Sequence, residues 1–178
     1  MLDTEYRFII GRKGISREIQ LIFDKKDCYH LMGLQYLTDR PELSRDRGAI
    51  FDEIMTRVIS RERIESSDLY IRIQERINAL PLLEQMLDSN DTIFKYNKTA
   101  NTFSKIQAEF LLKNKLLGRN IFLFLSKNFN NQFFCRSFFP ETKIDYSYRQ
   151  ASWTLLHKKK INRLTGTEVI LYDRKKIH

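Results

Sequence analysis

The possible folds of this chain are limited most by a change in hydrophobic period near residue 90. Over residues 49–87, apolar residues recur at the spacing of amphipathic helices, whereas from Thr92 onward they form short segments rich in β-branched and aromatic residues. Helices grouped ahead of a run of strands are typical of α+β proteins. The sequence therefore predicts an α+β fold in which about three helices pack on one side of a curved antiparallel β-sheet.

Three helices are predicted in the middle of the chain. The first covers residues 49–59, and the third begins near Pro81 and stops at residues 89–91. Between them, Ser66 or Ser67 is the expected N-cap of a second helix. The apolar stripe of this second helix consists of Leu69, Ile73, Ile77 and Leu80. Such a stripe predicts a helix that packs against the sheet.

Strands are predicted at the start of the chain and throughout its second half. Residues 6–10 and 19–23 are expected to form a hairpin, and residues 28–34 a short helix or an irregular segment. The later strand segments are 92–96, 108–112, 120–126, 132–139, 152–157 and 168–172. Their short connections favour antiparallel pairing. Since the chain has no linker-like run, one domain is expected over residues 1–178.

The charge of the chain is strongly positive and uneven. It carries 31 Lys and Arg against 22 Asp and Glu, a formal net charge of +9. The C-terminal excess comprises Lys158, Lys159, Lys160, Arg163, Arg174, Lys175 and Lys176. A lopsided positive field concentrates polyanions, so the composition favours RNA as a partner. The alternative is a basic protein whose lysines are simply solvated.

The cysteines and apolar segments give no sign of secretion or of a membrane span. Cys28 and Cys135 lie far apart, which leaves no disulfide framework and no paired metal-ligand spacing. The densest apolar stretch, residues 121–125, is far shorter than the roughly 18 residues of a membrane span. We therefore expect a cytoplasmic protein that binds no membrane, metal or cofactor.

The sequence also lacks the common catalytic motifs, including phosphate-binding loops, zinc-protease motifs and nucleophile elbows. Carboxylates near the basic end are scarce, so a two-metal nuclease site has no obvious ligands. Cleavage of RNA by its own 2′-hydroxyl needs a base, an acid and cations instead. His, Tyr, Ser, Thr, Lys and Arg side chains suffice for those roles.

Residues suited to this chemistry lie near the ends of the predicted strands. The candidate catalytic residues are His30, Tyr146, Thr154 and Lys158. The candidate RNA-binding residues are Arg136, Tyr148, Gln150, Lys159 and Lys160. A regular strand over residues 152–157 would turn Trp153 and Leu155 toward the core, and Thr154 together with Lys158 to the other face. We expect His30 and Thr154 to meet in one groove.

Each candidate also has a structural explanation. A lone histidine beside apolar residues, as at His30, is more often a packing or surface residue than a catalyst. The lysine run at residues 158–160 is by default a solvated face. Many of the 13 Phe are explained by core packing, whereas Tyr146 and Tyr148 lie in a polar stretch and are better candidates for stacking or proton transfer.

Residues 29–37, the three predicted helices and a closing series of short motifs together resemble a known family. The closing motifs are Ser137-Phe138-Phe139-Pro140, Asp145-Tyr146, Gln150, Thr154-Leu155, Lys158, Ile161-Asn162 and Ile170-Leu171-Tyr172. The order resembles the phage-associated nuclease families of the barnase, EndoU, colicin E5/D and RelE-like fold, the fourth of these families most of all. The resemblance spans most of the chain.

The resemblance implies a curved antiparallel sheet and a metal-independent endoribonuclease toxin, restrained by an antitoxin or immunity protein or by an RNA antitoxin. The positions carried over are His30, Tyr146, Gln150, Thr154 and Lys158. In this hypothesis His30 is base or acid, Thr154 and Tyr146 orient or protonate the phosphate, and Lys158 with Arg136 stabilises its charge. Two alternatives remain: a non-catalytic RNA- or DNA-binding module, and an ADP-ribosylating toxin with Glu168 as its acidic residue.

Overall fold

The computed structural model describes residues 1–89, 92–101 and 104–176, which form eight strands and five short α-helices. The strands are β1 (Thr4–Arg12), β2 (Ile15–Ile22), β3 (Thr92–Lys95), β4 (Phe110–Leu116), β5 (Arg119–Lys127), β6 (Phe133–Pro140), β7 (Ala151–Asn162) and β8 (Glu168–Asp173). The helices are α1 (Lys25–Met32), α2 (Arg47–Met55), α3 (Arg61–Glu65), α4 (Gln74–Ala79) and α5 (Leu83–Asp88). The predicted stop at residues 89–91 lies partly outside the described residues.

Seven of the strands close into a barrel. Their order is β1–β2–β6–β5–β4–β3–β7, and β7 then pairs with β1 along its length, from Thr4 opposite Asn162 to Gly11 opposite Thr154. The neighbours pair antiparallel except β2 and β6, which meet in parallel at Leu21 and Phe133. The eighth strand, β8, pairs with β7 and extends the sheet beyond the barrel.

The predicted curved sheet with about three helices packed on one side is therefore wrong. The pairing of β1 with β7 turns an open sheet into a closed barrel, and it joins residues near opposite ends of the chain. Local hydrophobic patterns carry no information about such a pairing. The helices are also shorter than predicted, between five and nine residues long.

The positions of the strands, in contrast, are confirmed. The predicted hairpin corresponds to β1 and β2, which pair antiparallel. The six later segments correspond to β3 through β8, with ends that differ by a few residues. The segment at residues 28–34 is helical, as α1. Short apolar segments separated by turn-forming residues were therefore a reliable guide to where strands occur.

The second predicted helix is broken in two. Its stripe residues do pack in a helical cluster with Ile73 fully buried, but residues 70–72 form a 3₁₀ turn and only Gln74–Ala79 is α-helical. Neither predicted serine caps α4, which begins after Ile73. Ser67 instead donates its hydroxyl to Asp39, at 2.7 Å. Tertiary contacts thus override the local helical preference.

The barrel interior is the main core. It holds fully buried side chains from both sides of the closing seam, among them Tyr6, Phe8 and Ile10 of β1. A second cluster lies among α1–α4 and a third, aromatic cluster lies on the outer face of β4 and β5. The third cluster contains Phe122, Phe124, Phe139 and Tyr146. The candidate site described below lies where the helical and aromatic clusters meet β6.

A β-bulge in β7 changes which side chains face the interior. Ile10 pairs with Leu155 but Ile9 pairs with His157, so Leu156 is an extra residue in the strand. After the bulge, Lys158 rather than His157 takes the inward position, opposite Phe8. Bulges shift the alternation of a strand by one residue. The regular alternation predicted for residues 152–158 therefore does not hold.

Gly33 should be sensitive to substitution, because it ends α1 with a left-handed backbone at φ 81°. A Cβ there would lie 2.9 Å from Arg76 Cδ and 3.0 Å from Ile73 Cγ2. Gly33→Ala should lower the free energy of unfolding by roughly 2–4 kcal/mol, since backbone strain and overpacking add. Urea denaturation measures this loss.

Gly14 offers the matched control for this prediction. Its φ is 79°, but a Cβ there would meet nothing within 4 Å. Gly14→Ala should therefore carry only the backbone term, about 1–2 kcal/mol. Equal losses in the two variants would show that the contact between Gly33 and Arg76 relaxes without cost.

Candidate active site

His30 is presented by α1, a short helix that is fixed at both ends. Asp24 caps its start by accepting from Lys26 N–H at 2.9 Å, while Asp27 accepts from Asp24 N–H at 2.9 Å. Gly33 ends the helix in the left-handed conformation. Tyr29 and Leu31, on either side of His30, are buried, which leaves the imidazole partly exposed.

Arg47 selects the tautomer of this imidazole. It is the first residue of α2, and its Nη1 lies 2.8 Å from His30 Nε2. A guanidinium group only donates hydrogen bonds, so Nε2 accepts and the ring proton lies on Nδ1. The same guanidinium lies 5.4 Å from the ring centroid of Tyr29, which helps to hold it in place. His30 is therefore neutral in this arrangement.

The surroundings of His30 favour the neutral form as well. Burial lowers the pKa of His30, and the positive charges of Arg47 and Arg136 lower it further. Gln35 lies close enough to His30 to favour the charged imidazole, which opposes these effects. Its buried Oε1 nevertheless makes no hydrogen bond of ordinary geometry within the described residues. A histidine with a lowered pKa is unprotonated at neutral pH and available as a general base.

Arg136 reaches this position because β6 contains a bulge. The register between β5 and β6 shifts by one residue at Arg136, which has no residue opposite it on β5. Its side chain is exposed and close enough to His30 to affect its pKa. Bulges re-aim single side chains and are common beside active sites. Arg136 and Arg47 thus place two guanidinium groups around one imidazole.

A third arginine, Arg76 of α4, lies next along β6. Its Nη1 donates to Ser137 Oγ at 2.9 Å, and its guanidinium lies 4.6 Å from the Phe139 ring centroid and 5.5 Å from that of Tyr36. Burial lowers the pKa of Arg76, and the nearby Tyr36 and Tyr146 oppose this shift. We refer to His30, Arg47, Arg136 and Arg76 as the arginine cluster.

Tyr146 lies beside this cluster. Its ring packs against Phe122, Phe124 and Phe139, with centroid distances of 5.4 to 5.6 Å. Burial and the neighbouring Tyr96 raise the pKa of Tyr146, whereas Arg76 opposes the shift. The phenol is therefore protonated at neutral pH, which suits a hydrogen-bond or proton donor.

Lys158 lies elsewhere, inside the barrel. It is fully buried, and its Nζ donates to the carbonyls of Leu87 at 2.8 Å and of Ser89, at the end of α5. The ammonium group also lies 5.2 Å from the ring centroid of Phe8. Lysine near a helix C-terminus satisfies the last carbonyls of the helix. The structure thus gives Lys158 a structural position, not one on the outer face with Thr154.

Thr154 is exposed on the outer wall, at the turn end of the β1–β2 hairpin. It pairs with Gly11, which pairs with Ser16 near the start of β2. His30, in contrast, lies on the helix that follows the far end of β2. The two residues are thus placed toward opposite ends of β2 and do not form the single groove that the sequence predicted.

The remaining candidates mostly have structural partners. Gln150 holds the backbone of Asn97 with two hydrogen bonds, at 2.7 and 3.0 Å. Lys159 pairs with Glu168, at 2.8 Å. Tyr148 is exposed, with the Arg149 guanidinium 5.1 Å from its ring centroid, so it remains accessible for stacking.

Lys160 is neutralised in the same way. Its Nζ lies 2.7 Å from Glu84 and 2.9 Å from Asp88, and it also approaches the ring of Tyr6. The run at residues 158–160 therefore binds carbonyls and carboxylates of the protein itself. Its lysines do not form the open cationic surface that the sequence predicted.

Sequence reasoning missed Arg47, Arg76 and Gln35. Arg47 and Arg76 come from helical segments whose polar residues looked like solvated faces, and no short motif links them to His30. The one available signal was the position of Arg47 directly after Asp46, a residue suited to the N-cap that it occupies. Helix N-termini are frequent positions for anion-binding groups.

Asp27, near the start of α1, makes the stability of the folded protein depend on pH. Burial raises its pKa to about 6, against an ordinary value of 3.8. The folded state therefore binds a proton at Asp27 more tightly than the unfolded state does. The resulting contribution to the free energy of unfolding is present below pH 4 and is lost as the pH rises through about 6. At 1.36 kcal/mol per pKa unit the loss is roughly 3 kcal/mol.

Asp27→Asn should remove this pH dependence, since an amide oxygen still accepts from Asp24 N–H but does not ionise. Urea unfolding at pH 4.5, 5.5 and 7 should show the variant gaining stability relative to the parent as the pH rises. The opposite contribution of His30, whose lowered pKa favours folding at higher pH, is common to both proteins and cancels. A constant difference between the two proteins would contradict the assignment.

No group of three or more His, Cys, Asp or Glu side chains suited to hold a metal ion occurs within residues 1–89, 92–101 and 104–176. Over the same residues, none of the helices is long and apolar enough to cross a membrane.

The comparisons with known proteins concern the chain as a whole. A family model described as phage-Barnase-EndoU-ColicinE5/D-RelE like nuclease4 matches residues 1–175. Comparisons with curated proteins and with solved structures give no match. The match covers nearly the whole chain, so the protein is a nuclease domain and hence belongs among enzymes. It is a member of the phage-associated PBECR4 family, which confirms the resemblance seen in the sequence.

Proposed function

We propose that this nuclease is a metal-independent endoribonuclease that cleaves RNA by attack of a 2′-hydroxyl on the adjacent phosphate. The observation that carries the proposal is the neutral imidazole of His30 with Arg47 and Arg136 around it. A base with a lowered pKa beside two cations supplies what this reaction needs at one phosphate. The 2′-hydroxyl requirement restricts the substrate to RNA.

In the proposed mechanism, His30 Nε2 takes the proton of the 2′-hydroxyl as that oxygen bonds to phosphorus. The bond from phosphorus to the 5′-oxygen then breaks, and the leaving oxygen takes up a proton. Arg47 and Arg136 stabilise the negative charge that develops on the phosphate. Tyr146, protonated and next to Arg76, is the proposed hydrogen-bond or proton donor.

Arg47 has a further part in this mechanism. In the free protein it occupies the Nε2 lone pair that the base needs. A substrate phosphate offers the guanidinium a stronger, charge-assisted partner. Binding of the phosphate would thus draw Arg47 away from His30 and free the base at the moment the substrate is in place.

The biological setting is part of the same proposal. An enzyme that cuts RNA in the cytoplasm harms its own cell, so we propose that it acts as a toxin of a toxin–antitoxin or phage-related system. An antitoxin or immunity protein, or an RNA antitoxin, would restrain it. The net charge of +9 favours an anionic antagonist as well as RNA.

Incubation of the purified protein with total RNA in excess EDTA tests the reaction. We expect discrete fragments that end in 2′,3′-cyclic phosphate and no cleavage of an all-DNA strand of the same sequence. Added NAD should have no effect. Loss of cleavage in EDTA, or equal cleavage of DNA, would contradict 2′-hydroxyl attack.

A further inference from the structure

A second concave surface lies on the outer wall of the barrel, at the turn end of the β1–β2 hairpin. It consists of two adjoining cavities of about 610 and 360 Å³, which share Leu156 and Arg174 in their walls. Ligand pockets for small molecules typically enclose about 300–1,000 Å³. We call this surface the β7 groove. It is separate from the arginine cluster, which adjoins β6.

The floor of the β7 groove is apolar because of the bulge in β7. The extra residue, Leu156, lies flat over Gly11, where a Cβ would come within 2.9 Å of Leu156 Cδ1. Ile9, which is 39% exposed, continues the floor. A side chain at residue 11 would lift Leu156 from β1, so glycine is required here for the floor to form.

The walls of the β7 groove are cationic. Arg12 ends β1 and Lys13 lies in the hairpin turn, and Arg174 and Lys175 follow β8. Among the described residues, none of these four forms an ion pair, in contrast to Lys159 and Lys160. Within the described part of the chain, one carboxylate lines these walls, that of Asp173, which accepts from the Lys175 backbone N–H at 3.0 Å. With four cations against this one carboxylate, the walls carry a net positive charge.

We propose that the β7 groove binds a nucleotide, with the base on the Leu156 and Ile9 floor and the phosphate between the cationic walls. A flat apolar surface beside walls of net positive charge matches the two parts of a nucleotide. Thr154, which lines the groove, would supply a hydrogen bond to the ligand. The nucleotide is part of an RNA chain if the proposed function holds, and the alternative source is a free mononucleotide.

As part of an RNA chain, the nucleotide would be distant from the bond that is cut. The β7 groove and His30 lie toward opposite ends of β2, a strand of eight residues or roughly 25 Å. A dinucleotide would reach the arginine cluster alone, whereas a longer RNA would reach both. The groove would then select for long substrates without taking part in cleavage.

Binding is tested with a fluorescent DNA 12-mer, which lacks the 2′-hydroxyl and is not cut by the proposed route. The double variant Arg12→Glu/Arg174→Glu should bind it at least tenfold more weakly than the parent. The slope of log affinity against log salt should become shallower by about 1.4, since each phosphate contact to a single strand contributes about 0.7. Lys105→Glu/Lys115→Glu, with the same charge change at two exposed residues before and on β4, is the matched control.

Further titrations identify the source of the ligand. Shifts of the Leu156 methyl signals with AMP alone would support a mononucleotide site, and shifts with the 12-mer alone would support a site for a nucleic acid chain. Equal loss of affinity in the two double variants would overturn the proposal. The proposal would also be overturned if an acidic peptide bound the β7 groove more tightly than AMP or the 12-mer does.

The cleavage assay separates this proposal from the proposed function. The Arg12→Glu/Arg174→Glu variant should cut a dinucleotide at the parental rate but show a raised KM for a long RNA. Because the binding assays need no cleavage, an inactive protein would contradict the ribonuclease function while leaving the groove proposal standing. If this variant instead lost dinucleotide cleavage to the same extent as cleavage of the long RNA, the two sites would not be separate.

Discussion

Replacing His30 by alanine should reduce RNA cleavage by about 10²-fold or more while leaving the fold and RNA affinity nearly unchanged. General acid–base groups typically contribute about 10²–10⁴-fold, and the imidazole is partly exposed, so its removal leaves only a small void. The initial rate on a dinucleotide measures the loss, and circular dichroism checks the fold. Full activity of the variant would exclude His30 as the base.

The pH profile gives a second test of the same role. Activity should fall on the acid side with an apparent pKa below 6.5, because burial, Arg47 and Arg136 lower the pKa of His30. Arg47→Ala removes one of these causes and should move the acid limb toward higher pH. His157→Ala is the control, since His157 lies on β7 outside the arginine cluster. If the acid limb of the Arg47→Ala profile stayed at the parental pH, the assignment of this limb to His30 would be contradicted.

Replacing Lys158 by alanine should lower the free energy of unfolding by about 3–5 kcal/mol. The side chain is fully buried, its stem fills the barrel interior, and its Nζ satisfies carbonyls at the end of α5. Truncation removes that packing and leaves buried acceptors without their donor. Chemical denaturation measures the effect.

Two substitutions separate the parts of this effect. Lys158→Met keeps most of the stem without a buried charge and should recover part of the loss. Lys159→Ala removes a partly exposed ion pair with Glu168 and should change stability by no more than about 1 kcal/mol. A Lys158→Ala protein with parental stability and little cleavage would restore Lys158 to catalysis.

Strand positions were predictable because residue composition and turn signals are local properties. The segments that became β3 through β8 are short apolar segments separated by turn-forming residues, whatever they pair with. Barrel closure was not predictable in this way, since it depends on a pairing between the two ends of the chain. An open sheet and a closed barrel have the same local pattern.

The candidate site was predicted in part. The sequence pointed to His30, Arg136 and Tyr146, and the structure brings these toward β6. Lys158 was misplaced because the bulge at Leu156 shifts the alternation of β7 by one residue, whereas Thr154 does face outward but lies at the opposite end of β2 from His30. Arg47 and Arg76 were missed because they reach the site from separate helices, through contacts that sequence spacing does not encode.

The seam between β1 and β7 also bears on how the protein is made. Thr4 pairs with Asn162, so β1 leaves the ribosome well before β7, its partner, has been made. Contacts between distant residues slow folding, and unpaired edges invite association in the meantime. An interrupted translation product that ends before β7 would leave both β1 and β3 with an open edge. Such fragments should aggregate, so the barrel is closed only once β7 has been made.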